Sequence, residues 1–438
     1  MAVVGASRDP AKVGHQVLRN LKASGFTGKL FPVNPRVREI LGLIAYPSLE
    51  EISDRVDLAV VIVPAIAVPR VIDQCDGAGV SAAVIMSGGF REIGAEGEKI
   101  EQDLRDTLKR TKVRVIGPNC TGVDNPHIGL CMWLPLRKHG YISVVTQSGT
   151  VASAIKCWAE NEGLGIAKCV TLGNRIDIDE TDLLRYLGDD PLTRVIALYL
   201  ESVSDGTRFL KAASDVSKRK PILALKGGRT QPGARAAVTH TRSIVGDDQI
   251  FQAAMKQCGV IRVQTTEELY DSSKALSYLT LPSGPNVLIV TSSGGSAILA
   301  ADVCSDMGLE LPPLTRSTEK TLRQKLPGYC IFSNPFDLTT TTADQFRVVV
   351  EENIHDPMIH AFLLIFGDPL LGASEVVDSF RPSTEKPIIV AYLGGGDVED
   401  KERAIMHSRG IPVFPSPERA AQALGVLLVR SEYLREED

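Results

Sequence analysis

The sequence predicts an α/β protein of three consecutive domains. Short runs of Val, Ile, Leu and Ala alternate with longer helical patterns along the whole chain, which is how parallel βαβ units read. The strand-like runs end repeatedly in glycine, serine, asparagine or proline, residues that open tight turns. At 438 residues the chain exceeds one hydrophobic core and suits about three domains of ordinary size.

In the first third the expected strands are Ala2–Val4, Leu30–Val33, Leu58–Val63, Ala82–Met86 and Val113–Ile116. A parallel sheet puts their small or polar ends along one edge, where open α/β folds place a ligand crevice. Residues 1–125 therefore read as a Rossmann-like domain. Residues 126–282 repeat the design with Ile142–Val145, Lys168–Leu172, Val195–Leu200 and Pro221–Leu225. Residues 283–438 do so again with Val287–Val290, Ala361–Phe366, Pro387–Tyr392 and Pro412–Phe414. Val-Val-Thr-Gln-Ser-Gly-Thr from Val144 parallels Ile-Val-Thr-Ser-Ser-Gly-Gly from Ile289, which points to an internal duplication. Leu281-Pro282-Ser283-Gly284-Pro285 reads as a linker.

A net charge of −5 argues against a general nucleic-acid binder, whose affinity depends on clustered Lys and Arg. Apolar stretches such as Leu58–Pro64 have strand length and fall short of a membrane span. The chain opens at once on a strand pattern, so no signal peptide is expected, and the abrupt start hints at residues missing ahead of it. Eight cysteines lie scattered with no C-x-x-C pair, which predicts buried thiols, no metal site and a cytoplasmic location.

His240 is the leading candidate for chemistry. The run from Pro221 to Leu225 leads into Lys226-Gly227-Gly228-Arg229, expected to be an anion-friendly loop, and His240 follows between Thr239 and Thr241. A histidine held beside an anion can carry a phosphoryl group; the plainer alternative is a polar loop residue. Glu201, at the end of an apolar strand, can fix the imidazole tautomer through one ring nitrogen and leave the other as nucleophile. Its alternative is a solvated strand-end charge. Ser148, Gly149 and Thr150 open a helix whose free N–H groups attract a phosphate, although serine is also an ordinary N-cap. Ser292-Ser293-Gly294 has the same two readings. The strands ending at Thr146, Glu201 and Lys226 should share one edge, so these groups can converge. In the first domain Gly5-Ala6-Ser7 forms a turn suited to a nucleotide-like ligand. Asn34 stands where a dinucleotide fold would want an acidic residue for the ribose, which disfavours NAD.

With these loops in place the chain resembles the α subunit, or α-like half, of nucleoside-diphosphate-forming acyl-CoA synthetases, relatives of succinyl-CoA synthetase. The resemblance runs nearly end to end. It lies in Val-Val-Gly-Ala-Ser, Pro-Val-Asn-Pro, Val-Ile-Val-Pro, the Ser87-Gly88-Gly89 run and Ile-Gly-Pro-Asn-Cys, then in Thr-Gln-Ser-Gly, Leu-Gly-Asn, Leu-Tyr-Leu-Glu, the Lys226 to His240 segment and Ser-Asn-Pro-Phe-Asp-Leu. It implies a CoA-binding Rossmann-like domain followed by two flavodoxin-like domains of succinyl-CoA-synthetase type. It places coenzyme A, as a substrate, on Gly5, Ala6, Ser7, Val33, Asn34, Pro35, Val63, Pro64, Ser87, Gly88, Gly89 and Asn119. It makes His240 the phosphohistidine, Glu201 its orienting carboxylate, and Ser148, Gly149 and Thr150 the phosphate cradle. ADP or ATP, with Mg, would bind an ATP-grasp partner, a β subunit or a fused domain, because no segment here resembles one. The assembly implied is a hetero-oligomer acting on CoA and a carboxylic acid, with no nucleic acid and no membrane.

Two departures from the family pattern stand out. The chain reads Thr239-His240-Thr241-Arg242 where the family shows Ser-His-Thr-Gly, and Trp133 lies in a region that is usually polar. Beside the acyl site Trp133 would favour an acid larger than acetate; a core or interface tryptophan reads equally well. The alternative to an enzyme is an idle CoA-binding regulatory or scaffold module.

Overall fold

The computed structural model describes residues 1–241, 246–339 and 341–437, with the side chains of residues 237–241 outside the description. The chain divides into two compact units, Met1–Asn161 with Gly165–Arg262, and Glu162–Leu164 with Val263–Asp438.

The first unit holds two sheets. Its first domain contains β1 (Ala2–Val4), β2 (Phe31–Val33), the hairpin β3 (Glu39–Ile40) and β4 (Leu43–Ile44), β5 (Leu58–Val61), β6 (Ala82–Ile85) and β7 (Arg114–Ile116). The main sheet is parallel and runs β2-β1-β5-β6-β7. Ala2, Val4, Ala59, Val61 and Ile85 pack to one face with Val68, Ile72 and Leu104. Val3, Val60 and Val84 pack to the other with Val17, Leu18 and Leu21 of the helix Val13–Ala23. Burial on both faces is why these strands read as unbroken apolar runs instead of alternating ones. The strand order reverses between β1 and β5, which fixes the crevice at their carboxyl ends.

The second domain contributes β8 (Val123–Asn125), β9 (Leu130–Cys131), β10 (His139–Thr146), β11 (Ile166–Thr171), β12 (Val195–Leu200), β13 (Ile222–Lys226) and β14 (Val260–Val263), in the order β14-β13-β12-β10-β11-β8-β9. β10 pairs in parallel with β11 and β12, and β12 with β13, while β8 lies antiparallel to β11 and to β9. Beneath this ribbon is a buried ion pair, Lys156 Nζ to Asp124 Oδ2 at 2.5 Å, and the other carboxylate oxygen accepts the Met132 N–H at 2.8 Å. Burial pulls the Lys156 ammonium down, but the charge and hydrogen bond of Asp124, together with Cys169 and Cys131, raise it overall.

The second unit carries a third sheet of β15 (Val287–Thr291), β16 (Phe336–Asp337), β17 (Ala361–Phe366), β18 (Ile388–Tyr392) and β19 (Val413–Phe414), in the order β16-β15-β17-β18-β19. Counted from β10 and from β15, both later sheets contain the order 2-1-3-4-5, so the duplication expected from the two similar loops extends to the topology.

Two sequence expectations need correction. The segment after β13 is not a loop throughout: Gln231–Thr241 is a helix, and His240 lies in its last turn. Pro232 stands in the first turn, where its missing N–H costs nothing, and Ala234, Ala236 and Ala237 favour helix. The strands β3, β4, β8, β9, β14 and β16 were not expected, most of them being short or partly polar or charged. Among the described residues no helix is long and apolar enough to cross a membrane.

Candidate functional site

Glycine at position 5 is dictated by close packing. It has φ +91°, and a Cβ there would sit 2.0 Å from the Ile62 carbonyl oxygen. The next residues are tied down: Asn34 Nδ2 donates to the Ala6 carbonyl at 2.7 Å, Ser7 Oγ accepts from the Asp9 N–H at 3.0 Å, and His15 Nδ1 lies 3.0 Å from the Ser7 carbonyl oxygen. Ser87 is buried and stitches two strand ends together, accepting from the Val63 N–H at 3.1 Å and donating to the Val63 carbonyl at 2.6 Å. Gly89, at φ +102°, donates its N–H to Glu92 at 2.7 Å. Asn119 donates its N–H to the Ser87 carbonyl at 2.8 Å. Val33 is buried, while Pro35, Pro64 and Gly88 are exposed at the same edge. All twelve first-domain candidates thus lie at or just beyond carboxyl ends of the parallel sheet.

Between this domain and the second lies a cleft of about 500 Å³ whose lining includes Asn119, Cys120, Thr121, Trp133, Ser148 and Gly149. Gly149 opens the helix Gly149–Asn161; a Cβ on it would approach Thr121 Cγ2 to 2.6 Å, so the chain must stay bare there. The loop before it is clasped by Thr146, whose hydroxyl accepts the Ser148 N–H and donates to the Ser148 carbonyl, both at 2.9 Å. Ser148 Oγ accepts the Val151 N–H at 3.4 Å, a long N-cap bond, and Thr150 is exposed at the first turn. Cys120 is no rival nucleophile. Burial pushes its thiol up to about 12, only partly opposed by hydrogen bonds from Gly122 and Thr171, so it stays protonated at neutral pH.

Glu201 follows β12 and is 7% exposed, not the solvated charge that a strand end suggests. Its Oε2 is buried with no hydrogen-bond partner among the described residues. Beside it stands Tyr199, whose phenol is pushed up to about 12 by burial, by the Glu201 charge and by a hydrogen bond to that carboxylate. Gly227 leaves the space: a Cβ there would fall 2.6 Å from the Tyr199 hydroxyl and 3.2 Å from Glu201 Cγ. Gln147 links the backbone of Glu201 to the Ser148 loop. Its Oε1 accepts the N–H groups of Glu201 at 2.8 Å and Ser202 at 3.2 Å, and its Nε2 donates to the Ser202 carbonyl at 2.8 Å. Arg175 holds the same turn from the other side, donating to the Ser202 carbonyl at 2.9 Å and to its hydroxyl at 2.8 Å, with the fully buried Glu180 as counter-ion at 3.0 Å.

The structure therefore brings Ser148, Gly149 and Glu201 to one sheet edge. His240 belongs to the helix that leaves the neighbouring strand; its side chain, like all of Arg242, lies outside the described residues. The roles of Gln147, Tyr199 and Arg175 were missed from sequence. Gln147 was visible inside Thr-Gln-Ser-Gly, but an amide bridging two strands leaves no local pattern.

An α/β chain with a glycine-cradled crevice and a buried carboxylate beside a phosphate-type loop defines a class of group-transfer proteins. Three family models match in order: a CoA binding domain over residues 1–126, a succinyl-CoA ligase like flavodoxin domain over 139–276, and a Ligase-CoA domain over 287–435. The α subunit of acetate–CoA ligase [ADP-forming] I from Pyrococcus furiosus is 38% identical over 99% of this chain and 96% of its own length. Acetate–CoA ligase [ADP-forming] I from Archaeoglobus fulgidus is also 38% identical, over 98% of this chain, which spans 62% of that longer protein. The solved dinucleotide forming acetyl-coenzyme A synthetase 1 from Ca. Korarchaeum cryptofilum, in complex with phosphate and ADP, superposes with a TM-score of 0.90 at 34% identity over 100% of this chain and 97% of its own. The chain belongs to the α-subunit family of ADP-forming acyl-CoA synthetases.

Proposed function

We propose that the chain is the α-type component of an ADP-forming acyl-CoA synthetase, converting acyl-CoA, ADP and phosphate reversibly into carboxylic acid, CoA and ATP. The observation that carries this reading is the buried Oε2 of Glu201, which has no hydrogen-bond partner among the described residues, on a residue whose backbone is tied through Gln147 to the loop that opens the helix Gly149–Asn161. An unpaired buried carboxylate oxygen is costly unless a donor visits it, and an imidazole N–H is such a donor. The functional parts run 1–125, 126–282 and 283–438.

CoA binds along the strand ends of the first domain, at residues 5–7, 33–35, 63–64, 87–89 and 119, with its thioester directed to the cleft. Phosphate, held at the helix N-terminus by Gly149, Thr150 and the Ser148 hydroxyl, attacks the thioester carbonyl through one of its remaining oxygens. The C–S bond breaks, CoA leaves as the thiol after taking a proton, and an acyl phosphate forms. A ring nitrogen of His240 then attacks phosphorus and the P–O bond to the acyl group breaks, releasing the carboxylate. Glu201 accepts the hydrogen bond of the other ring nitrogen and stabilises the positive charge that develops on the ring. ADP, with Mg on an ATP-grasp β subunit or fused domain, takes the phosphoryl group from the phosphohistidine and becomes ATP. Fold relatives named as α subunits support a partner of this kind.

Incubation with acyl-CoA and ³²P-phosphate should label the chain with an acid-labile, base-stable phosphoryl group, and His240→Ala should abolish it. A label that survives His240→Ala removes that residue from the mechanism. The idle CoA-binding module, favoured by Arg242 in place of the family's glycine, predicts CoA binding with no label even when an ATP-grasp partner and ATP are supplied.

A further inference from the structure

We infer that the indole of Trp133 is the wall on which the acyl group rests, and that the substrate is a carboxylic acid with a bulky apolar group, branched or aromatic. This rests on the synthetase reading above and goes on to the class of acid. The lining of the cleft is chemically mixed. Thr121 and Ser148 bring hydroxyls and Gly149 opens a helix, whereas Val13, Met86 and Trp133 are apolar. A phosphoryl group on the polar lining leaves the apolar side chains to the rest of the acyl phosphate.

A tryptophan in such a place can plug a site or line it, and the volume decides. The cleft measures about 500 Å³ with the indole in position. At roughly 30 Å³ for each water-sized group, the eight non-hydrogen atoms of acetyl phosphate fill about 240 Å³. The cleft thus stays larger than an acetyl phosphate with the indole in place, so the ring does not plug it, and the end of the CoA arm shares what remains. Trp133 is half-buried, so part of the ring is available to an acyl group.

The wall is also firmly mounted. Asn20 is buried, and its Nδ2 donates to the Trp133 carbonyl at 2.7 Å and to the Met132 carbonyl at 3.2 Å. The Met132 N–H is held at 2.8 Å by Asp124, itself fixed by the Lys156 ion pair. The backbone carrying the indole is thus anchored from two sides, and a preorganised apolar face discriminates between acids by the area that each covers.

The test is the labelling reaction run with the full chain on acetyl-CoA, isovaleryl-CoA and phenylacetyl-CoA, for the wild type, Trp133→Ala and Trp133→Phe. The wild type should favour the two bulky thioesters over acetyl-CoA by about tenfold or more in kcat/KM, in the range that apolar pocket contacts supply. Trp133→Ala should lower both bulky substrates by about tenfold while leaving acetyl-CoA within about threefold, and Trp133→Phe should recover most of the loss. A wild type that prefers acetyl-CoA, or a Trp133→Ala variant that loses all three substrates equally, overturns the assignment while the label leaves the synthetase reading standing. Absence of label with every thioester refutes the synthetase reading itself, and this inference with it.

Discussion

The second and third domains are the same scaffold used twice, and they differ at the end of the third strand. In both, a threonine at the end of the first strand clasps the following loop: Thr146 bonds the Ser148 N–H and carbonyl, each at 2.9 Å, and Thr291 bonds those of Ser293 at 2.9 and 3.1 Å. In both, the next side chain reaches the end of the third strand. Gln147 Oε1 takes the Glu201 N–H at 2.8 Å, and Ser292 Oγ takes the Gly367 N–H at 2.9 Å. In both, the helix after the fourth strand carries a histidine in its last turn, His240 in Gln231–Thr241 and His407 in Gly396–Ser408. There the likeness stops. A buried carboxylate stands at Glu201 where the third domain has bare Gly367. His407 is buried, and desolvation lowers it to about 4, helped by nearby Lys274 and Arg403 against the pull of Glu162. A packed, neutral imidazole of that kind fills a core. The repeated topology does not repeat the buried carboxylate, and on the proposed mechanism that carboxylate is what orients a phosphate carrier.

The sharpest way to break this contrast is Glu201→Gln, which should lower phosphorylation of the chain by about 10²–10⁴-fold, the usual weight of a positioned acid–base group. Because Oε2 has no partner to lose among the described residues, the melting temperature should hardly fall. An equal loss in labelling and stability would assign Glu201 to the scaffold instead.

His407 gives the next largest effect, and it belongs to the third domain. Its folded value lies below the ordinary 6.5, so the unfolded chain takes up a proton first as the pH falls. The stability it confers is complete above about pH 6.5 and fades towards pH 4, by up to about 3 kcal/mol. Denaturant titrations across that range should show the slope, and His407→Leu should flatten it.

Gln147→Ala and Ser292→Ala compare the two clamps directly. The first removes three hydrogen bonds and should cost about 2–3 kcal/mol, together with a slower phosphorylation because Glu201 loses its anchor; the second removes one and should cost about 1 kcal/mol. The smallest contrast is Thr146→Val against Thr291→Val. Each should lose about 1–2 kcal/mol of stability, but only Thr146→Val should weaken phosphate binding, as read by phosphate titration of the labelling rate.

Much of the fold was legible because a strand buried on both faces has to be an unbroken apolar run: Val195–Leu200 and Ala361–Phe366 could be marked to the residue. β8 and β9 escaped because Val123-Asp124-Asn125 and Leu130-Cys131 are too short and mixed to show a period. The helix bearing His240 escaped because glycine and proline at its start outweighed the alanines that follow. At the site, Glu201 was legible from its strand-end position. Its burial was not, since that depends on Tyr199, Gly227 and Gln147, which arrive from other parts of the chain. That the first two domains form one compact unit left no trace in local sequence either.

The Lys156–Asp124 pair restricts how descendants of this chain can change. Removing either partner alone strands a buried charge, at about 3–5 kcal/mol, whereas exchanging both for apolar residues removes the charges together and costs only the hydrogen bond to the Met132 N–H, about 1–3 kcal/mol. The two positions are therefore bound together in inheritance: the apolar alternative is separated from the present one by a valley that no single substitution crosses. Because Asp124 also holds the Met132 N–H beside Trp133, lineages confined to this side of the valley keep the mounting of that wall fixed while the side chains facing the cleft remain free to vary.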